Sequence, residues 1–145
     1  MKKILLILSL AMLSAITGCE EEPSVNPDGF TEFKVNINGS WKIDQVTQNG
    51  IDITNALNFK SSKFDLNYEG ATPSSFSFSS KLPFVTKSLT GSWSFDDPVY
   101  PRAINFSDGT SVNIVGPIRS AGENRMTLGF NLGCPQTNYQ YILIK

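Results

Sequence analysis

Histidine is absent from the chain, and that removes the commonest general base from consideration. Without it, neither a Ser-His-Asp nor a Cys-His arrangement can activate a nucleophile, so hydrolysis by either is excluded. A carboxylate pair is the next option. Asp96-Asp97 is the one adjacent pair beyond the acidic run at residues 20–22, but neighbours on a strand point to opposite faces and the following Pro98 marks a turn, whereas glycoside cleavage needs two carboxylates facing one bond. A metal held without histidine needs oxygen ligands, as calcium does. Asp96, Asp97 and Asp108 are available, yet no loop carries the Asp-x-Asp-x-Asp-Gly spacing of a dedicated site. Cys134, between Gly133 and Pro135, has no basic neighbour in sequence to lower its pKa and reads as a small buried hydrophobe rather than a reactive thiol. The expectation is a protein that is not an enzyme and carries no cofactor or metal.

The elements that would position any site are strands. From Phe30 onward the apolar residues alternate with a period of two, as half-buried antiparallel strands require. Phe64, Leu66 and Tyr68 share one face, as do Phe76 and Phe78, then Leu89, Gly91, Trp93 and Phe95. Ile104 with Phe106, Val112 with Ile114, Met126 with Leu128, Phe130 and Leu132, and Tyr139 with Tyr141 and Leu143 continue the pattern. Turn signals separate them: Asn49-Gly50, Glu69-Gly70, Asp96-Asp97-Pro98, Asp108-Gly109 and Ala121-Gly122. With a strand starting at Trp41, about eight strands at short spacing predict an all-β fold, a closed or nearly closed antiparallel barrel or a sandwich. The alternation breaks at Gln45-Val46, where a bulge would fit. The one helical candidate is short, Thr54 to Leu57, with Thr54 as N-cap. Large rings dominate the inward positions (Trp41, Phe64, Phe76, Phe78, Trp93, Phe106, Phe130, with Leu66), enough to fill a small barrel and leave function to the loops and rim.

The first residues are of another kind. Lys2 and Lys3 precede an apolar run, Ile4 to Leu13, that is too short for a membrane span of about 20 residues. It ends in Ile16-Thr17-Gly18-Cys19, which resembles the lipobox of bacterial lipoproteins. The resemblance implies a signal peptide over residues 1–18 and a lipid on Cys19, which acts as a membrane anchor. The mature chain then has 127 residues, suited to one domain of roughly 100 to 150. Losing Lys2 and Lys3 leaves 10 basic against 13 acidic residues, a net charge of about −3, which argues against a nucleic-acid partner because phosphates demand clustered Lys and Arg. With Cys19 lipidated, Cys134 has no partner in the chain and no disulfide supports the fold. Residues 19–36, with Glu20-Glu21-Glu22 and then Pro23 and Pro27, read as a flexible acidic tether. An acidic cluster behind the lipidated cysteine resembles the export signal of Bacteroidetes-type lipoproteins bound for the outer face of the outer membrane; the alternative is a solvated spacer.

Two segments are alike, Gly39-Ser40-Trp41-Lys42-Ile43-Asp44 and Gly91-Ser92-Trp93-Ser94-Phe95-Asp96. In each, glycine lets the backbone turn sharply at the barrel end, and the indole two residues later covers the open bottom of the core. Gly39-Ser40-Trp41 followed by Asn49-Gly50-Ile51-Asp52-Ile53-Thr54 resembles the opening of the lipocalin-like lipoprotein domains of unknown function common in Bacteroidetes. The likeness continues through Gly91 to Pro98 and through Gly133-Cys134-Pro135 with Tyr139-Gln140-Tyr141. It implies a small up-and-down β-barrel of about eight strands over residues 37–145 with at most one short helix. Fold of this kind does not specify function. Two expectations follow. One is a surface-exposed binding module for a small apolar molecule or a glycan, with Tyr68, Phe84 and Tyr100 near turns as the candidate ligand-binding rings. The other is a structural or interaction protein docking on another envelope protein, with Lys81 to Val85 as an exposed apolar loop.

Overall fold

Period-two alternation hands each segment one apolar face, and the chain buries those faces by curling a single sheet onto itself. The computed structural model describes residues 34–79, 86–118, 124–133 and 137–145, all within a compact unit spanning Glu32–Lys145. The strands are β1 (Gly39–Gln48), β2 (Ile51–Asp52), β3 (Lys63–Glu69), β4 (Thr72–Phe78), β5 (Thr90–Phe95), β6 (Ala103–Phe106), β7 (Ser111–Ile114), β8 (Arg125–Asn131) and β9 (Asn138–Ile144). All pairings are antiparallel, and each strand from β3 to β9 lies beside its sequence neighbour. Because β1 pairs with both β3 and β9, eight strands close into an up-and-down barrel, and the two-residue β2 is an addition alongside β1. Closure removes the sheet edges that an open sheet of this size would expose.

The expected turns hold the barrel's corners. Asn49 and Gly50 both take positive φ, 50° and 81°, the backbone of a type I′ hairpin that joins β1 to β2. Asp108-Gly109 makes the tight turn between β6 and β7, with the Gly109 N–H donating to the Phe106 carbonyl at 3.0 Å. The break at Gln45-Val46 is a bulge: the register steps from Ile43↔Leu143 to Gln45↔Ile142, leaving Asp44 as the extra residue. That one residue turns Val46 into the core and keeps Ile43 and Val46 on the same side.

The interior is occupied by rings. Phe64 meets Phe76, Phe78 and Phe106 at centroid distances of 6.3, 6.1 and 6.1 Å, and Phe76 meets Phe106 at 4.9 Å. Phe130 packs edge-on to Tyr141 at 5.0 Å, and Phe59 does so at 5.7 Å. Pairs of this geometry each contribute about 0.5–1.5 kcal/mol beyond the area they bury. All the inward residues expected from alternation, Trp41, Phe64, Leu66, Phe76, Phe78, Trp93, Phe106 and Phe130, are buried. Burial, with a smaller contribution from Tyr139, pushes the Tyr141 phenol well above its usual range.

Two expectations are corrected. Thr54 to Leu57 form turns rather than a helix, and the helical element is one 3-10 turn at Phe59–Ser61. Thr54 does not cap it: its hydroxyl oxygen accepts the Val46 N–H at 2.9 Å and its proton goes to the Asp52 carboxylate at 2.6 Å, which pins the segment to β1. Leu89 does not share the inward face of Trp93, because β5 begins at Thr90; its side chain is exposed, while its carbonyl accepts the Phe78 N–H at 2.7 Å.

The two Gly-x-Trp segments work by different means. Gly39 has φ 130°, a conformation that side chains rarely adopt. Gly91 has ordinary backbone, but a Cβ there would stand 2.5 Å from Ser107 Oγ and 2.9 Å from the Phe76 ring. Each indole N–H donates to a backbone carbonyl, Trp41 to Ile37 at 2.9 Å and Trp93 to Asn67 at 3.2 Å.

Candidate functional site

β1 begins and β9 finishes at one end of the barrel, so strand order alone assigns the loops. The chain-entry end carries residues 34–38, the β3–β4 turn, the β5–β6 loop and the segment after β7; the far end carries the β1–β2 turn, residues 53–62 and the β6–β7 turn. At the chain-entry end, Val35 and Ile37 are buried ahead of the first strand. The Val35 N–H donates to the Pro98 carbonyl at 2.9 Å. Tyr68 secures the same segment from the other side: its hydroxyl donates to the Val35 carbonyl at 3.1 Å and accepts the Ile37 N–H at 3.3 Å, while its ring stands edge-on to Trp93 at 5.4 Å.

Above this closure lies a cleft of about 420 Å³ lined by Val35, Val99, Tyr100, Pro101, Arg102, Ile114 and the Gly116–Ile118 strap. Its wall is the β5–β6 loop, and the sequence explains why that loop keeps its shape. Asp97 Oδ1 accepts the N–H groups of Val99 at 2.7 Å and Tyr100 at 2.9 Å. Asp96 Oδ1 accepts those of Arg102 and Ala103, both at 2.9 Å. These are the Asx-type bonds by which aspartate fixes turns. The Asp97 carboxyl is held below its ordinary pKa by the Tyr100 and Val99 N–H groups. For Asp96, partial burial pushes upward, and the Ala103 and Arg102 N–H groups outweigh it and hold the pKa down. The acidic pair thus serves as a backbone clamp, with each carboxylate committed to its own loop.

The third candidate acid is elsewhere. Asp108 sits at the far end, where it accepts the N–H groups of Lys87 at 2.6 Å, Ser88 at 3.2 Å and Thr110 at 3.0 Å, together with the Thr110 hydroxyl. Burial raises its pKa, but the bonds from Thr110, Lys87 and Ser88 prevail and bring it to about 2. Asp96 and Asp97 therefore lie across the barrel from Asp108, and among the described residues no three acidic or sulfur ligands meet.

Of the rings expected to meet a ligand, Tyr100 is 68 % exposed and forms part of the cleft wall. Tyr68 reaches the same end of the barrel, but it is half-buried with its hydroxyl engaged in closing the core. Phe84, the Lys81 to Val85 loop, the Ala121-Gly122 turn, Cys134 and Cys19 lie outside the described residues. The cleft itself is formed by parts distant in sequence: Val35, the loop at 99–102 and the strap at 116–118. Pro101 and the Gly116-Pro117 pair are its local marks in sequence, and they signal turns without saying that the turns meet.

No family model, no curated protein and no solved structure matches this chain.

Proposed function

We propose that the chain is a non-enzymatic lipoprotein of the cell envelope, anchored in the outer membrane through Cys19 and facing outward, whose lipocalin-like barrel binds a small molecule in the cleft beside Tyr100. The observation that carries this reading is the cleft's construction. Its volume falls within the range of roughly 300–1,000 Å³ common for ligand sites, and its wall is fixed in advance by Asp96 and Asp97, which lowers the ordering cost of binding. The lining favours an apolar molecule over a glycan. Val35, Val99, Pro101, Ile114, Pro117 and Ile118 offer aliphatic surface, Tyr100 one ring and Arg102 one cation, whereas sugar hydroxyls need several polar side chains to read them. An apolar body with an anionic or hydrogen-bond-accepting end suits this set.

The test has two parts. Mass spectrometry of small molecules released from natively purified protein should give a stoichiometric apolar compound. In protein stripped of it, 1-anilinonaphthalene-8-sulfonate, an apolar ring system with an anionic group, should bind with enhanced fluorescence, weakened several-fold by Tyr100→Ala and by Arg102→Gln. Dye binding that neither variant changes would overturn the assignment. The competing reading, docking on another envelope protein, is favoured by exposed Ile51 and Leu57 at the far end; a partner co-purified in equal amount, lost on Ile51→Ser with Leu57→Ser, would establish it.

A further inference from the structure

A second surface, on the wall formed by β3, β1, β9 and β8, is written in the strand register. Lys63 of β3 opposes Lys42 of β1, Lys42 opposes Ile144 of β9, and Ile144 opposes Arg125 of β8. Residues directly paired across a ladder project to the same side. Their chain neighbours Trp41, Phe64, Leu143 and Met126 point into the core, so this row points outward; Lys42, Lys63 and Arg125 are exposed and Ile144 is half-buried. The next row holds Gln45, Ile142 and Thr127, with Ile142 also half-buried on the outside. At a strand spacing of about 4.8 Å the cations span roughly 14 Å of one wall, with Ile144 between Lys42 and Arg125 and Ile142 in the adjoining row. Like charges directly opposed destabilise a sheet, so Lys42 opposite Lys63 is a cost to stability. Two carboxylates stand two positions along the same strands: Asp65, which opposes Ser40 and accepts the Ser77 hydroxyl at 3.1 Å, and Asp44 at the bulge.

We propose that this wall rests on an anionic lipid surface, with Lys63, Lys42 and Arg125 on the headgroup phosphates and Ile142 and Ile144 at the edge of the acyl region. Cations on a protein whose mature net charge is about −3 point to a negatively charged partner. Long Lys and Arg stems lie along apolar surface while their charged ends reach outward, which is the arrangement suited to a membrane interface. Half-buried Ile142 and Ile144 beside the cations favour a membrane over a soluble polyanion, and the inference rests on the membrane anchor proposed at Cys19.

The test removes the anchor so that the wall alone is read. The chain from residue 19 with Cys19→Ser, which retains the whole compact unit, is sedimented with vesicles of phosphatidylcholine alone and of phosphatidylcholine mixed with phosphatidylglycerol. Binding to the anionic vesicles only, lost on raising the salt, is expected. Each cation contributes about five-fold, so Lys42→Gln, Lys63→Gln and Arg125→Gln combined should weaken binding on the order of 100-fold. Arg102→Gln in the cleft should leave vesicle binding unchanged, which separates this surface from the proposed ligand site. Lys42→Gln alone should weaken vesicle binding while leaving the melting temperature equal or slightly higher. Equal binding to both vesicle types, full binding by the triple variant, or capture by a sulfated polysaccharide without capture by vesicles would each overturn the proposal.

Discussion

The hydroxyl of Tyr68 donates to the carbonyl of Val35 across 3.1 Å, joining the end of β3 to a segment that belongs to no strand. That bond, with the Ile37 N–H donated back to the same oxygen, closes one end of the barrel beneath the cleft. Tyr68→Phe keeps the ring against Trp93 and leaves both backbone groups without this partner. It should cost about 1–2 kcal/mol and lower Tm on the order of 5–10 °C. Tyr100→Phe, at an exposed position, should leave Tm within about 2 °C. Equal shifts in the two variants by thermal denaturation would refute the division of roles between the two tyrosines.

Gly91 tests the close-approach reading of the second Gly-x-Trp segment. Gly91→Ala drives a methyl into Ser107 Oγ and the Phe76 ring and should cost about 2–3 kcal/mol by overpacking. Gly50→Ala meets no atom within 4 Å but sits at φ 81°, so backbone strain alone should cost about 1 kcal/mol. Adding Ser107→Ala should recover part of the Gly91→Ala loss, since the shorter of the two contacts is removed, and none of the Gly50→Ala loss. Urea unfolding of the four variants distinguishes the mechanisms.

These cases show where sequence was readable. Faces such as Phe64 with Leu66, or Tyr141 with Leu143, follow from a period of two, which a strand obeys wherever no bulge interrupts it. Val35, Ile37 and Phe59 are core residues outside any strand, so no periodicity marks them and only the tertiary contact with Pro98, Tyr68 or Tyr141 does. Leu89 followed the period and still faces solvent because its strand starts one residue later. The cleft needs three distant segments to meet, and the cationic row depends on a register that the Asp44 bulge shifts partway along β1. Tyr100 was legible as an exposed ring near a turn. The Asp96-Asp97 pair was legible as part of a turn, though its task as a loop clamp required the hydrogen bonds.

Acid should loosen the far end through Asp108. Its folded pKa, about 2, lies below the ordinary value of 3.8, so the carboxylate contributes stability above pH 4 and that contribution is lost as pH falls from about 4 towards 2. Asp108→Asn removes the charge that attracts the Lys87, Ser88 and Thr110 donors and should cost about 1 kcal/mol at neutral pH. Its stability should then vary less than that of the unaltered protein between pH 4 and 2. Parallel acid limbs for the two proteins would show that other carboxylates govern acid unfolding.

Ser62 offers a substitution expected to stabilise. It follows the 3-10 turn, its N–H donating to the Phe59 carbonyl at 3.0 Å, and it is 1 % exposed. Among the described residues its hydroxyl has no hydrogen-bond partner. A buried hydroxyl without a partner has lost its water hydrogen bonds and gained none in exchange, a deficit of roughly 1–3 kcal/mol. Alanine keeps the Cβ and the backbone hydrogen bond and removes the oxygen, leaving a void of about one atom, so part of that deficit is offset by lost packing. Ser62→Ala should therefore raise stability by about 1 kcal/mol, seen as a higher urea midpoint with an unchanged slope. A lower midpoint would mean that the hydroxyl holds an internal water, and the buried pocket beside Phe59 would then be a hydrated one.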